Sequence, residues 1–445
     1  MAHCLVIDAN FAGIRVLGRL LKRGHRITFL RCDDDFFHTD AQARDILAAL
    51  DRIADTGGSR DPREIARIVE GIHERDPVEA IFCVFERSIE AAAVAAASIG
   101  VPFAPIEAVH VARHKNETRA ALERAGLATA RCRAVGSLEA MLEQASTTPR
   151  PFVIKPISGV FSSLVRVVDL QDDLASIADD LRSEWLGLPA SLRGYIDRGF
   201  MIEDYLSGTL VSVEIGRRRD EYYEFMISGR IQAAANEAIE LGSFLPADVS
   251  VLERQSCFAY ARRVLEAIGL DLGIFHLEMM VTPAGPVLVE ANARLMGGML
   301  PFLYDSLSGK FIHDMLIDLV LGNPVAVPEI DPARSVSSFA LKTVEGGVVA
   351  PDFSTALPAP LSDALTRCDC YVVPGQAITA PMVLARLQAA ADDGRRAETI
   401  VVEIARHVAG SIGVETLDAA PVTRSALSYL SAPAAMHQGE LRHLA

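Results

Sequence analysis

The segment HLEMMVTPAGPVLVEANAR carries two glutamates, Glu278 and Glu290, in two apolar runs joined by the turn TPAG. Antiparallel pairing about that turn brings the two carboxylates side by side, where like charges repel unless a cation lies between them. Asn292 stands two residues after Glu290 and faces the same side of its strand, and Arg294 follows at the next such position. Two carboxylates and one amide oxygen make a hard-oxygen set suited to magnesium, with manganese as the alternative ion, and through it to a triphosphate. Arg294 can then neutralise charge that develops on a transferred phosphoryl group.

Four further stretches could serve the same chemistry. Lys155 ends the apolar run PFVIKP. A buried ammonium needs an anion, either a phosphate or a salt-bridge partner. Lys115, on the predicted helix RHKNETRAALERAGL, is a second cation of this kind, or else a surface lysine. The loop SGVFSS follows Lys155, and its small residues Ser158, Gly159, Ser162 and Ser163 let backbone N–H groups approach phosphate oxygens. An ordinary hairpin turn is the plainer reading of that loop. In MIEDYLSG, Glu203 and Asp204 interrupt an apolar strand. Tyr205 and Leu206 offer backbone groups to the edge of an adenine, and Glu203 can accept from its exocyclic amine. The alternative is an edge strand with a solvated acidic face.

These residues must be held by an α/β framework. The first hundred residues alternate strand and helix: an apolar run Cys4–Asp8, a helix Gly13–Arg23, a strand Arg26–Leu30, a strand Val78–Phe85 and an alanine-rich helix Ser88–Ser98. This βαβ series predicts a parallel sheet. The first turn, DANFAGIRVLG, lacks GxGxxG and reads as tight packing rather than a dinucleotide site. One helix is predicted over Pro105–Ala125, ended by Gly126. Strand–helix units run to about Leu181, and the chain is β-rich from Phe200, with Arg217–Arg219 as a solvated hairpin turn. A helix Ser250–Ile268 precedes the two glutamate strands. Beyond Pro328 a further α/β region has turns at Gly346-Gly347 and Gly375 and a predicted helix Pro381–Ala391. The last fifteen or so residues are expected to be weakly ordered.

Composition sets the class. The 445 residues are 50% hydrophobic, enough for a large core, and the net charge of −15 argues against nucleic acid as the main partner. None of the seven cysteines forms a CxxC pair, which fits free thiols in a reducing compartment. The opening MAHCLVIDAN is not expected to be a signal peptide, and no run reaches the ~18 apolar residues of a membrane helix. A cytoplasmic protein without membrane contact is expected.

The ordered set Lys115, Lys155-Pro156, SGVFSS, EDYLSG, GIFHLEMM and VLVEANARLMGG resembles the ATP-grasp superfamily over roughly residues 1–330. The resemblance implies an α/β ATP-grasp fold with a Rossmann-like pre-ATP-grasp domain over 1–105. The catalytic region would span 106–330 with a mobile lid at about 128–206, and a C-terminal α/β domain would span 331–445. By that likeness Lys115, Lys155 and the loop at 158–163 contact ATP phosphates, Glu203, Tyr205 and Leu206 hold adenine, and Glu278, Glu290 and Asn292 bind magnesium. Arg294 and Lys155 are the implied catalytic cations, with Arg294 meeting an acyl phosphate.

Within the superfamily the chain is similar to the L-amino-acid ligases, dipeptide synthetases of the bacilysin type. IELGSFLPA resembles their ExGH-xxP segment, which implies that Glu240 and Ser243 line an amino-acid site, with His276, Gly297 and Gly298 beside them. The implied activity is ATP-dependent joining of a carboxylate to an amine, on small-molecule substrates and in a homodimer as among relatives. Carboxylate activation of the carboxylase branch and a non-catalytic nucleotide-binding role are the alternatives. The chain departs from the pattern at three places. Leu210 stands where a ribose-binding glutamate is usual, and Glu214 either takes its place or leaves it unfilled. Ser243 replaces a histidine, and Gly298 replaces a bulky aromatic, which implies a roomier pocket.

Overall fold

The computed structural model describes residues 1–420 apart from 11–12, 33–40, 160–162, 189–192, 194–195, 197–198, 380–381 and 393–395. Ser162, Pro381 and the last fifteen residues therefore lie outside the described residues. Three sheets carry the architecture. Four parallel strands, in the order Arg52–Asp55, Arg26–Arg31, His3–Ile7 and Ala80–Phe82, form the N-terminal layer. The βαβ pattern thus yields the parallel sheet it predicts, and helix Ile14–Lys22 packs Val16, Leu17 and Leu20 on it.

A smaller antiparallel sheet runs Cys132–Val135, Phe200–Asp204, Phe152–Pro156 and Arg166–Val168. With helices Leu138–Thr147 and Leu174–Gly187 it encloses its own core around Phe152, Ile154, Leu181 and Phe200. The large sheet has eight antiparallel strands. Their order is Gly285–Asn292, Leu272–Thr282, Thr209–Arg218, Glu221–Gln232, Glu240–Leu245, Ser335–Lys342, Val383–Ala391 and Leu365–Cys370. Strand Ser335–Lys342 pairs directly with Glu240–Leu245, so the chain beyond residue 330 extends the same sheet.

Helix Val251–Ile268 begins with a reciprocal cap between Ser250 and Glu253 and buries Phe258, Ala261, Val264 and Leu265 against the first strands of this sheet.

Two predicted elements differ. Val383–Ala391 is a strand, not part of a helix, because strands on both sides give it hydrogen-bond ladders that outweigh the helix preference of its alanines. The helix expected over Pro105–Ala125 is two helices, Ile106–Arg113 and Lys115–Arg124, broken at His114 in an extended conformation. The Lys115 N–H donates to the Ile157 carbonyl at 3.2 Å, outside any helix.

Close approach fixes one glycine. A Cβ on Gly242 would lie 1.9 Å from the Ser338 carbonyl oxygen on the adjacent strand. Gly242→Ala is expected to cost at least about 2 kcal/mol, because backbone rather than a flexible side chain must move. Chemical denaturation checks this, and an unchanged midpoint would show that the two strands do not approach this closely.

Candidate active site

The two glutamate strands pair in the register their sequence demands. Glu278 stands directly opposite Glu290, and His276 opposite Asn292. A bulge follows between Glu278 and Met279. Each carboxylate has a cation: Lys115 Nζ donates to Glu290 Oε1 at 2.8 Å, and Arg230 Nη2 donates to Glu278 Oε1 at 2.9 Å. This arrangement offsets the repulsion of a like-charged cross-strand pair. Burial works against the charge on Glu278, but His276 and Arg230 outweigh it and hold its pKa down at about 2. Its side chain is still 25% exposed and that of Glu290 28%, so both reach the cavity.

His276 sits between two carboxylates. Its Nδ1 bonds Glu214 and its Nε2 lies 3.4 Å from Glu278 Oε1. Burial opposes a charge on the ring, but Glu214 raises its pKa to about 9. Glu214 is completely buried in this contact, and so positions His276.

Arg294 is held on both sides. Its Nε donates to Glu86 Oε2 at 2.6 Å and its Nη2 to Asn292 Oδ1 at 3.1 Å. Glu86 follows the last strand of the N-terminal sheet, so that layer contributes directly to the site.

Behind these groups is a buried ion triad. Lys155 ends strand Phe152–Pro156, and its ammonium bonds Glu203 on the neighbouring strand Phe200–Asp204. Glu203 also accepts from Arg119 Nε, and Arg119 Nη2 donates to the Val289 carbonyl at 2.8 Å. Arg119 therefore ties the small sheet to the strand of Glu290. Burial pulls Lys155 below the ordinary lysine range; Glu203 opposes this, while Arg119 and Lys115 add to it. Burial also works against the charge of Glu203, but Lys155 and Arg119 prevail and hold its carboxyl below the ordinary range. Lys155 thus has the salt-bridge partner that was one of the two sequence alternatives. Two of its three ammonium donors remain for other acceptors.

Apart from Arg119 and Glu214, these groups face one cavity of about 1130 Å³, larger than the ~300–1,000 Å³ of a typical small-molecule site. Of the residues singled out in sequence, Lys115, Lys155, Gly159, Ser163, Glu203, Tyr205 and Leu206 line it together with Glu240, Ser243, His276, Glu278, Glu290, Asn292, Arg294, Gly297 and Gly298. Ser158 does not; it is buried and its hydroxyl donates to the Arg113 carbonyl at 3.3 Å. Leu210, Met280 and Ile239 give an apolar lining near Tyr205, whose hydroxyl bonds Glu237. Glu240 accepts from Arg230 Nη1 at 2.9 Å and from the Ser243 hydroxyl at 2.8 Å. A Cβ on Gly298 would meet nothing within 4 Å, so the space implied by that glycine is present.

Four residues of this site have no counterpart in the sequence reading: Arg230, Glu86, Arg119 and Arg113, which faces Glu86 and Glu90. Arg230 and Arg119 end or sit within segments that read as ordinary strand and solvated helix. An ionic residue at an inward-facing position of an apolar strand is the one available clue, and it applies to Arg230 alone.

The carboxylate–amide oxygen set is hard, charged and open to the cavity, which fits a magnesium or manganese ion held by Glu278, Glu290 and Asn292. Residues 148–301 match the family model described as the ATP-grasp domain, so the chain carries an ATP-grasp domain. Over 298 residues, 62% of the chain, it is 26% identical to carnosine synthase 1 of Gallus gallus, and this stretch is 30% of that protein. Over 63 residues it is 41% identical to dapdiamide A synthase of Enterobacter agglomerans, covering 14% of this chain and 15% of that one. The chain thus spans less than a third of either relative in the matched stretch.

In three dimensions it is similar to the L-amino acid ligase from Bacillus licheniformis, with a TM-score of 0.72 at 16% identity over 94% of this chain and 99% of that one. It is also similar to biotin carboxylase from Campylobacter jejuni, with a TM-score of 0.63 at 15% identity over 94% and 93%. These likenesses establish the ATP-grasp fold.

Proposed function

We propose that the protein is an ATP-dependent carboxylate–amine ligase that forms an amide through an acyl phosphate, joining amino acids or an amino acid and a related acid. The observation that carries this reading is the directly opposed pair Glu278 and Glu290, with Asn292 and Arg294 beside it, in one cavity with two buried lysines. The names of the relatives, two synthases and an L-amino acid ligase, support it.

In this reading Lys115 and Lys155 bind the triphosphate, and the apolar surface of Leu210, Met280 and Ile239 takes the base against the backbone of Tyr205 and Leu206. Magnesium held by Glu278, Glu290 and Asn292 would supply charge neutralisation on the phosphates. Arg294, fixed by Glu86 and Asn292, faces the oxygens that gain charge as the substrate carboxylate displaces ADP from the γ-phosphorus. Positioning and fixed charge supply most of the catalysis. The amine then attacks the acyl carbon, phosphate leaves, and a proton is lost from nitrogen. The segment of about residues 128–206, which carries the small sheet, is the lid that keeps water from the acyl phosphate.

The test is phosphate release from ATP and magnesium across all pairs of the common amino acids, with mass spectrometry of each hit. Release that depends on the pair, with a product one water lighter than the sum, is expected. Release indifferent to any added amine would sink the ligase reading.

A further inference from the structure

A second cluster of ligand-bearing side chains lies on the helices that lead to Lys115, and none of its members lines the cavity. Glu90 stands in the first turn of helix Ile89–Ile99, His110 in the last turn of Ile106–Arg113, and His114 at the break before Lys115–Arg124. The spacing of the two histidines is that of paired zinc ligands on one helix face, and their ring centroids lie 4.0 Å apart. One ligand atom from each of Glu90, His110 and His114 lies within 4.8 Å of the others. Glu90 Oε1 is 3.1 Å from His110 Nδ1. Two ligands bound tetrahedrally at ~2.0–2.1 Å stand about 3.3 Å apart, so this pair needs little movement to share an ion.

Each of the three is also oriented by an outer contact, as metal ligands commonly are. The second Glu90 oxygen accepts from Arg113 Nη1. His110 Nε2 lies 3.3 Å from Glu117 Oε1. His114 Nδ1 donates to the His110 carbonyl at 2.7 Å, which puts the ring lone pair on Nε2. The outer contacts thus assign Glu90 Oε1, His110 Nδ1 and His114 Nε2 as the ligating atoms. His110 itself calls for a cation. Both its nitrogens face carboxylate oxygens, and a neutral ring has one N–H. One of the two contacts then sets lone pair against lone pair unless a proton or a metal ion lies between. The His110 side chain is 41% exposed, so solvent reaches the cluster.

We propose that Glu90, His110 and His114 bind a divalent ion of the zinc class, with a fourth position open to water. Two imidazoles and one carboxylate suit zinc and its transition-metal neighbours rather than magnesium, so the site is chemically separate from the Glu278, Glu290 and Asn292 set. The assignment does not depend on the ligase reading. The ion sits where two paths to the cavity meet. His114 adjoins Lys115, whose ammonium bonds Glu290 at 2.8 Å. Arg113, on the Glu90 carboxylate, also faces Glu86 at 3.7 Å, and Glu86 holds Arg294. Zinc therefore braces the break between the two helices, and by binding the folded chain it raises stability.

The test is a zinc titration of the whole chain against a chromophoric chelator, in an excess of magnesium that occupies the hard-oxygen set. Cobalt(II) serves as a coloured stand-in whose absorption bands report the ligand types. One ion per chain is expected, with a dissociation constant in or below the micromolar range and a higher thermal midpoint. His110→Ala and Glu90→Gln should each weaken binding by about a hundredfold or more, and Glu117→Gln, which loses only an outer contact, by about tenfold. Thermal midpoints measured without zinc show whether each variant is folded. His110 is partly exposed, so its variant is the one whose fold is least at risk. Wild-type binding weaker than micromolar would overturn the proposal. Equal affinity in wild type and in folded His110→Ala and Glu90→Gln would place the ion elsewhere and overturn it too, as would cobalt bands of a thiolate site.

Discussion

Glu290→Ala is expected to lower ATP turnover by at least about a thousandfold while leaving the chain folded. Among the described residues Glu290 is held by Lys115 at 2.8 Å and by no arginine, and its side chain is open to the cavity. Removing it takes away a hard ligand of the proposed metal and the anion that aims Lys115. Losing a single preorganised electrostatic contact already costs ~10²–10³ in rate, and here two are lost together. The fold should survive, because the neighbouring register from His276 to Asn292 is set by backbone pairs and by the apolar residues between them. Phosphate release, a magnesium titration and a thermal midpoint check the three parts separately. Retained turnover in Glu290→Ala would remove the metal assignment. A shifted magnesium dependence in Glu290→Gln, with the fold intact, would support it.

The local parts of this site were legible in sequence. Glu278, Glu290 and Asn292 lie on one hairpin, so the turn and the two-residue period are enough to bring them together. The parallel N-terminal sheet was legible for a similar reason, since adjacent strand–helix units dictate it.

What escaped depends on contacts distant in sequence. Glu86 reaches Arg294 across 208 residues, and Arg119 reaches Val289 across 170. Arg119 sits in RHKNETRAALERAGL, which reads as a solvated helix because its burial is imposed from outside by the Glu203 strand and the Glu290 strand. The break at His114 was hidden likewise: nothing in that stretch disfavours helix, and the turn away from helix comes with a hydrogen bond to Ile157 on another element. In Val383–Ala391 the alanines and leucines favour a helix intrinsically. Ladders to Ser335–Lys342 and Leu365–Cys370 override that preference.

Glu203→Ala is the substitution expected to damage stability most. It leaves the Lys155 ammonium, 4% exposed, and the Arg119 guanidinium, 1% exposed, without their shared carboxylate. Breaking a buried ion pair from one side costs about 3–5 kcal/mol, since an uncompensated charge remains in low dielectric. Glu203→Gln keeps the shape and an acceptor but not the charge, and should fall between. Adding Lys155→Met to Glu203→Ala removes one of the stranded cations, so the double variant should be more stable than the sum of the singles predicts.

The sign with pH follows from the depressed carboxyl. Because Glu203 ionises more readily in the folded chain than at its ordinary value of 4.5, its contribution is fully present above that value. It is lost as pH falls through the lower folded value. The gap in stability between wild type and Glu203→Ala should therefore be constant near neutrality and close on acidification. Chemical denaturation at several pH values measures it. A gap below about 1 kcal/mol at neutral pH, the range of exposed ion pairs, would mean that water reaches the triad and that Glu203 does not hold Lys155 in place.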